Sequence, residues 1–115
     1  MFKKIRSLIF KIDPEKAHNL AIQSLKLNLP INFFQENQND PIFETTLFGK
    51  KLGNPIGIAA GFDKNAEVYN ALFKLGFGFV EVGTVTPLEK YGNKKPRVFR
   101  LIEDQALIKR LGFNN

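Results

Sequence analysis

The 115-residue chain contains no cysteine. Disulfides, thiolate metal sites and cysteine nucleophiles are therefore excluded. It has one histidine, His18, and a metal centre needs several ligands, so no metal site is expected. No apolar run approaches the roughly 20 residues a membrane-spanning helix requires. Near the start, Leu8, Ile9 and Phe10 are followed at once by Lys11. No small-residue cleavage site follows them, so a secretory signal is not expected either. The glycine spacings of dinucleotide and Walker-type phosphate loops are both missing. There is no internal repeat.

What is present begins with an uneven charge. The net charge is +6. Residues 1–29 carry six Lys/Arg against two Asp/Glu, residues 30–85 four against six, and residues 86–115 seven against three. Basic ends around a mildly acidic middle suit either an anionic partner or a solvated basic surface. The cations are not interleaved with aromatics in the manner of a nucleic-acid-binding module, so nucleic acid is not an expected partner.

Phe2, Ile5, Leu8 and Ile9 recur at helical spacing among Lys3, Lys4, Arg6 and Lys11, which predicts a short amphipathic helix. Asp13-Pro14 reads as an N-cap followed by a first-turn proline, opening a second helix from about Pro14 to Leu27. Leu29-Pro30 closes this unit, and residues 30–41 read as a polar linker. Phe43–Leu47 and Lys50–Leu52 flank Phe48-Gly49 as a small hairpin. From Asn54 the pattern changes. Pro55–Ala60 is a buried-strand run, Asn65–Leu75 a helix capped by Gly76, and Phe77–Val85 a second strand. This is a βαβ unit, which implies a parallel sheet with its site beyond the carboxyl ends of the strands, at Gly61–Lys64 and Gly83–Thr86. Arg97–Leu101 is expected as a strand or hairpin arm, Asp104–Leu111 as a helical turn or loop, and residues 112–115 as a loop.

At the first strand end, Ala59-Ala60-Gly61 would let a planar ligand approach the backbone. Lys64 follows and could set an ammonium against it. A cation near 4 Å from an anionic ring offers about 4 kcal/mol at an effective dielectric of 20. Equally, Gly61 could only make the turn, with Lys64 solvated. Thr84 could bond a ring heteroatom or merely satisfy local backbone. His18 shares a stripe with Ile22 and Leu25, where packing is the commoner role. Gly76-Phe77-Gly78 lies at the wrong end of its strand for a site and reads as turn chemistry.

Several stretches together resemble one family. Asn54-Pro55-Ile56-Gly57-Ile58-Ala59-Ala60-Gly61-Phe62-Asp63-Lys64-Asn65 is similar to the first barrel strand and loop of the quinone-dependent dihydroorotate dehydrogenases. The run from Leu75 to Pro87 resembles their second strand. Gly92-Asn93, Lys95-Pro96-Arg97-Val98-Phe99-Arg100-Leu101 and Leu111-Gly112-Phe113-Asn114-Asn115 follow in the family's order. Asp13-Pro14-Glu15-Lys16-Ala17-His18 resembles the second helix of its amino-terminal extension.

The resemblance implies an α/β fold: an incomplete (β/α)8 TIM barrel preceded by a two-helix membrane-associating extension. The divisions would be residues 1–29 for the extension, 30–53 for a linker and hairpin at the barrel bottom, and 54–115 for the first part of the barrel. It implies oxidation of dihydroorotate to orotate in pyrimidine (UMP) biosynthesis, with FMN as cofactor and a membrane quinone as acceptor. FMN would meet Ala60, Gly61, Phe62, Asp63, Lys64 and Thr84. Substrate would meet Lys64 and the loop Lys109, Arg110, Leu111, Gly112 and Phe113. His18 and Arg100 would line a quinone tunnel. Residues 1–29 would lie on the cytoplasmic face of a bacterial inner membrane, or less favourably the mitochondrial one, apolar residues in lipid and lysines at headgroups.

Two positions depart from the family. Lys109 stands where an asparagine usually binds the pyrimidine, and Ala66 replaces a common glycine, a change expected to suit a helix. A barrel needs about 250 residues, and the family's serine base lies beyond the residues present. By itself the chain is therefore expected to be inactive and to expose unpaired edges. The alternative is a non-enzymatic membrane- or partner-binding module built on the same helices.

Overall fold

The computed structural model describes residues 2–27 and 40–115, with backbone alone for 2–5. The expected linker at 30–41 and the helix end at Leu29-Pro30 fall largely outside these residues. Two compact units emerge, Met1–Ala21 with Thr86–Asn115, and Ile22–Val85.

The helices are α1 (Phe2–Ile9) and α2 (Pro14–Lys26). Asp13 starts α2 as its sequence suggests. Its Oδ1 accepts from the amides of Glu15 and Lys16 at 3.1 and 3.0 Å, satisfying two of the orphan donors at the helix start.

In the second unit, a 3₁₀ turn at Pro41–Phe43 leads to the hairpin β1 (Thr45–Leu47) and β2 (Lys50–Leu52), with Leu47 opposite Lys50. Phe48 and Gly49 both have positive φ, as a two-residue turn matching strand twist requires. The βαβ unit follows: β3 (Gly57–Ile58), α3 (Tyr69–Lys74) and β4 (Phe79–Val80), with β3 and β4 parallel. The ladder proper is short, but slanted bonds extend it. Gly78 N donates to Ile56 O, Glu81 N to Ile58 O and Gly61 N to Gly83 O, all within 2.8–2.9 Å. Gly57 lies opposite Phe79, and a Cβ there would collide with the Phe79 ring.

Helix α3 begins later than its apolar spacing suggests, and Asp63 is the reason. Its two carboxylate oxygens accept from Glu67 N (2.7 Å) and Val68 N (2.9 Å), which holds residues 63–68 in a tight non-helical turn. Ala66 sits in that turn at φ 56°. The expectation that alanine suits a helix here is therefore overturned, because the position lies before the helix and is left-handed. At the other end Gly76 (φ 99°) caps α3: Gly76 N donates to Phe73 O and Phe77 N to Leu72 O. This is the paired-bond ending that glycine favours. Ile22, Val68 and Leu72 form the core, with Leu25, Ile58, Phe62, Leu75, Phe77 and Val80 against it. Lys26 and Glu67 pair at 2.7 Å beside it.

In the first unit, β5 (Val98–Leu101) and β6 (Ala106–Lys109) form an antiparallel hairpin. Half of Asp104–Leu111, Ala106–Lys109, is thus a strand, not a helical turn. A run as short as Ala106–Lys109 carries no period that separates strand from helix, and main-chain pairing with β5 decides it. Among the described residues, all buried apolar side chains lie in the second unit, and the buried side chain of the first is Arg97.

Candidate functional site

The second unit brings the two strand ends together. Gly61 N donates to Gly83 O (2.9 Å) and Gly83 N to Asp63 O (3.2 Å), so backbone bonds tie residues 61–63 to Gly83. Gly61 and Gly83 hold φ of 97° and 113°, values only glycine takes readily. Gly83 is buried, and a Cβ on it would press Val85 N at 3.0 Å. Ala59, Ala60 and Thr84 are exposed, and Lys64 is half-buried. A ledge of small side chains with an exposed threonine beside it suits a planar, polar-edged ring such as FMN's. Phe62 packs towards the core. Asp63 is 1% exposed and its carboxylate serves the α3 turn, so it braces the ledge from behind.

Sequence reasoning gave no role to Asn54. Its Nδ2 donates to Gly76 O (2.9 Å) and its Oδ1 accepts from Ile56 N (3.0 Å), tying the start of β3 to the end of α3. A Cβ on Gly78 would strike the Asn54 carbonyl. The turn chemistry expected of Gly76-Phe77-Gly78 is this junction. An asparagine before a strand-opening proline was the available signal.

In the first unit, Lys109 ends β6 opposite Val98 and is exposed. Arg110 N donates to Arg97 O (2.9 Å), and the Arg110 guanidinium lies 5.7 Å over the Phe99 ring. Asn93 grips the next residues: its N donates to Leu111 O (3.0 Å) and its Nδ2 to Arg110 O (2.8 Å). Gly112 and Phe113 follow at positive φ, with Phe113 exposed. Lys90 and Asn115 exchange backbone bonds at 3.1 and 2.9 Å.

His18 is half-buried on α2. Arg100 donates to Phe10 O (3.1 Å) and Ile12 O (2.7 Å) and covers the Phe10 ring at 4.7 Å. Arg6 stacks on that ring at 4.9 Å. The pair Glu15–Arg97, also missed by sequence reasoning, joins α2 to the segment before β5, with Oε1 2.6 Å from Nη2. The Arg97 hydrogen bond holds the Glu15 carboxyl below its usual range, against a partly opposing desolvation. Among the described residues, no three His, Cys, Asp or Glu side chains gather to hold a metal ion, and no helix is long and apolar enough to cross a membrane.

A parallel βαβ unit is the repeating unit of α/β folds, in which sites lie beyond the carboxyl ends of the strands. The chain belongs to the dihydroorotate dehydrogenase family, whose profile matches residues 42–115. It is 56% identical over 108 residues to a dihydroorotate dehydrogenase (quinone) of Rhodospirillum rubrum, covering 94% of this chain and 29% of that one. To the Marinobacter nauticus protein of the same name it is 50% identical, covering all of this chain and 34% of the relative. A ligand-free crystal structure of the Eimeria tenella enzyme superposes with a TM-score of 0.81 at 46% identity, over 90% of this chain and 28% of that one. The chain thus spans about three tenths of the length of the relatives it matches.

Proposed function

We propose that this chain supplies the first part of an FMN-dependent barrel that oxidises dihydroorotate to orotate with a membrane quinone as acceptor, in pyrimidine biosynthesis. The reading is carried by the 56% identity to a dihydroorotate dehydrogenase (quinone) across nearly the whole chain, ledge included. FMN held at the ledge would supply a two-electron acceptor. The chain's own residues bind and orient. Ala60 and Gly61 offer the flat approach, backed by Phe62 and Asp63. Thr84 offers a hydroxyl to the ring edge, and Lys64 places a cation between flavin and substrate. Lys109–Phe113 form a substrate segment. His18, from a residue 1–29 extension resting on the membrane surface at the cytoplasmic face, and Arg100, bonded to the Phe10 and Ile12 carbonyls of that extension, line a quinone path. Residues 30–53 and 54–115 are the barrel-bottom connection and the barrel start. None of the residues present is assigned as the base that removes the substrate proton.

The test is a chimera in which residues 1–115 replace the matched segment of the Rhodospirillum rubrum relative. It is expected to carry FMN in one-to-one ratio and to reduce quinone at the expense of dihydroorotate. Lys64→Ala should lower turnover roughly ten- to hundredfold, the worth of a charged hydrogen bond in a sheltered site. A folded chimera that takes up no flavin, yet binds vesicles through residues 1–29, would replace this reading with a membrane-binding module.

A further inference from the structure

The first unit is organised around a buried cation. Arg97 is 7% exposed. Its Nε and Nη2 donate to Glu15 Oε1 at 3.1 and 2.6 Å, and its Nη1 donates to the carbonyls of Tyr91 (2.6 Å) and Asn93 (3.2 Å). The guanidinium is a rigid planar fork, so anchoring one edge aims the other. What it aims at is the segment that grips Arg110 and Leu111. Asn93 bonds both of their carbonyls, and Arg97 O takes the Arg110 amide. Nothing cushions these contacts. A Cβ on Gly92 would meet the Leu111 carbonyl, with Arg97 Nη1 at 3.0 Å, and a Cβ on Gly112 would meet Asn93 at 2.8 Å. Backbone lies against backbone, so a displacement of Arg97 passes directly to residues 110–112. Glu15, on the first turn of α2, is the anion that makes burial of Arg97 tolerable. Lys95, 3.5 Å from Glu15, is mostly exposed and contributes little.

We propose that Glu15 is a positioning residue for the substrate segment: through Arg97 and the 91–93 backbone it sets the conformation of Lys109–Phe113, so that the amino-terminal helix controls affinity for dihydroorotate. The proposal rests on the assignment of Lys109–Phe113 made above. A pair serving only to hold the fold would change every kinetic constant and the whole molecule's stability together.

Glu15→Gln in the active chimera is expected to raise the KM for dihydroorotate about tenfold, the scale of weakening a charge-assisted bond. The KM for quinone should stay within about twofold, and kcat within about threefold. Lys95→Ala should behave as parent. Asn93→Ala should also raise the KM for dihydroorotate, and the double variant should exceed the larger single effect only slightly, because both act on one path. An unchanged dihydroorotate KM, or a change confined to quinone, would overturn the proposal. Amide hydrogen exchange supplies a readout that needs no turnover. Glu15→Gln should speed exchange about tenfold across residues 90–97 and 107–115 and leave residues 56–61 and 78–83 unchanged. Equal acceleration everywhere, or none, would also overturn it. A chimera without turnover but with this localised exchange would count against the proposed reaction and not against the coupling.

Discussion

The two charged side chains that matter most by burial are not used alike. Asp63 spends both oxygens on backbone amides and thereby shapes the turn that carries Lys64. Arg97 spends its donors on a carboxylate and two carbonyls. In both cases burial is tolerated because each polar atom is satisfied, and no buried side-chain N or O among the described residues lacks a partner. Ala66 is the opposite case, a residue ill-suited to its place. At φ 56° an alanine carries about 1–2 kcal/mol of left-handed strain. Glycine removes it but adds about 0.4–1 kcal/mol of unfolded-state entropy. Ala66→Gly is therefore expected to stabilise the chimera by roughly 0.5–1 kcal/mol in denaturant titration. A loss of stability would mean that the turn is not held as described.

At the scale of elements, short strands and helices are fastened by side chains more than by their own ladders. Asn54 clips β3 to α3, Asp63 holds the turn that precedes α3, and Glu15 fastens α2 to the segment before β5. The last fastening should depend on pH. The Glu15 carboxyl lies lower in the folded chain than its ordinary 4.5, chiefly because Arg97 donates to it, with Lys95 adding attraction. A depressed carboxylate contributes stability that is fully present above the unfolded pKa and is lost as pH falls through the folded one. The stability difference between parent and Glu15→Gln should then stay constant from neutral pH to about 5 and shrink below about 4.5. Measured by denaturant unfolding at stepped pH, a difference that persists undiminished to about pH 3 would contradict this anchor.

For the whole molecule, apolar exposure is the dominant fact. Among the described residues the buried apolar side chains are Ile22, Val68, Ala71 and Leu72, while Ile42, Phe48, Ile56, Val85 and Leu88 are each at least 66% exposed. A core of that size offsets little of the conformational entropy of ordering the described residues. The isolated 115-residue polypeptide is expected to bind a hydrophobic dye strongly and to melt without a cooperative transition, as seen by calorimetry. A sharp transition with no dye binding would show that the chain packs its apolar surface unaided. Much of this was legible beforehand. The βαβ unit, the Phe48-Gly49 hairpin, the Asp13 start of α2 and the Gly76 stop follow from local chemistry: apolar period, capping oxygens and glycine's access to positive φ. The ledge at Ala60–Gly61 was legible for the same reason, since small residues at a strand end are visible in one dimension. Three features were not. The β6 strand depended on a partner strand, the late start of α3 on where the Asp63 carboxylate points, and the Glu15–Arg97 anchor on two residues far apart in sequence. The sequence by itself determined the βαβ unit, the hairpin turn, the helix-start and helix-stop signals and the family. Only the tertiary structure decided which polar groups are buried and what each one holds, because desolvation and pairing are properties of neighbours in space.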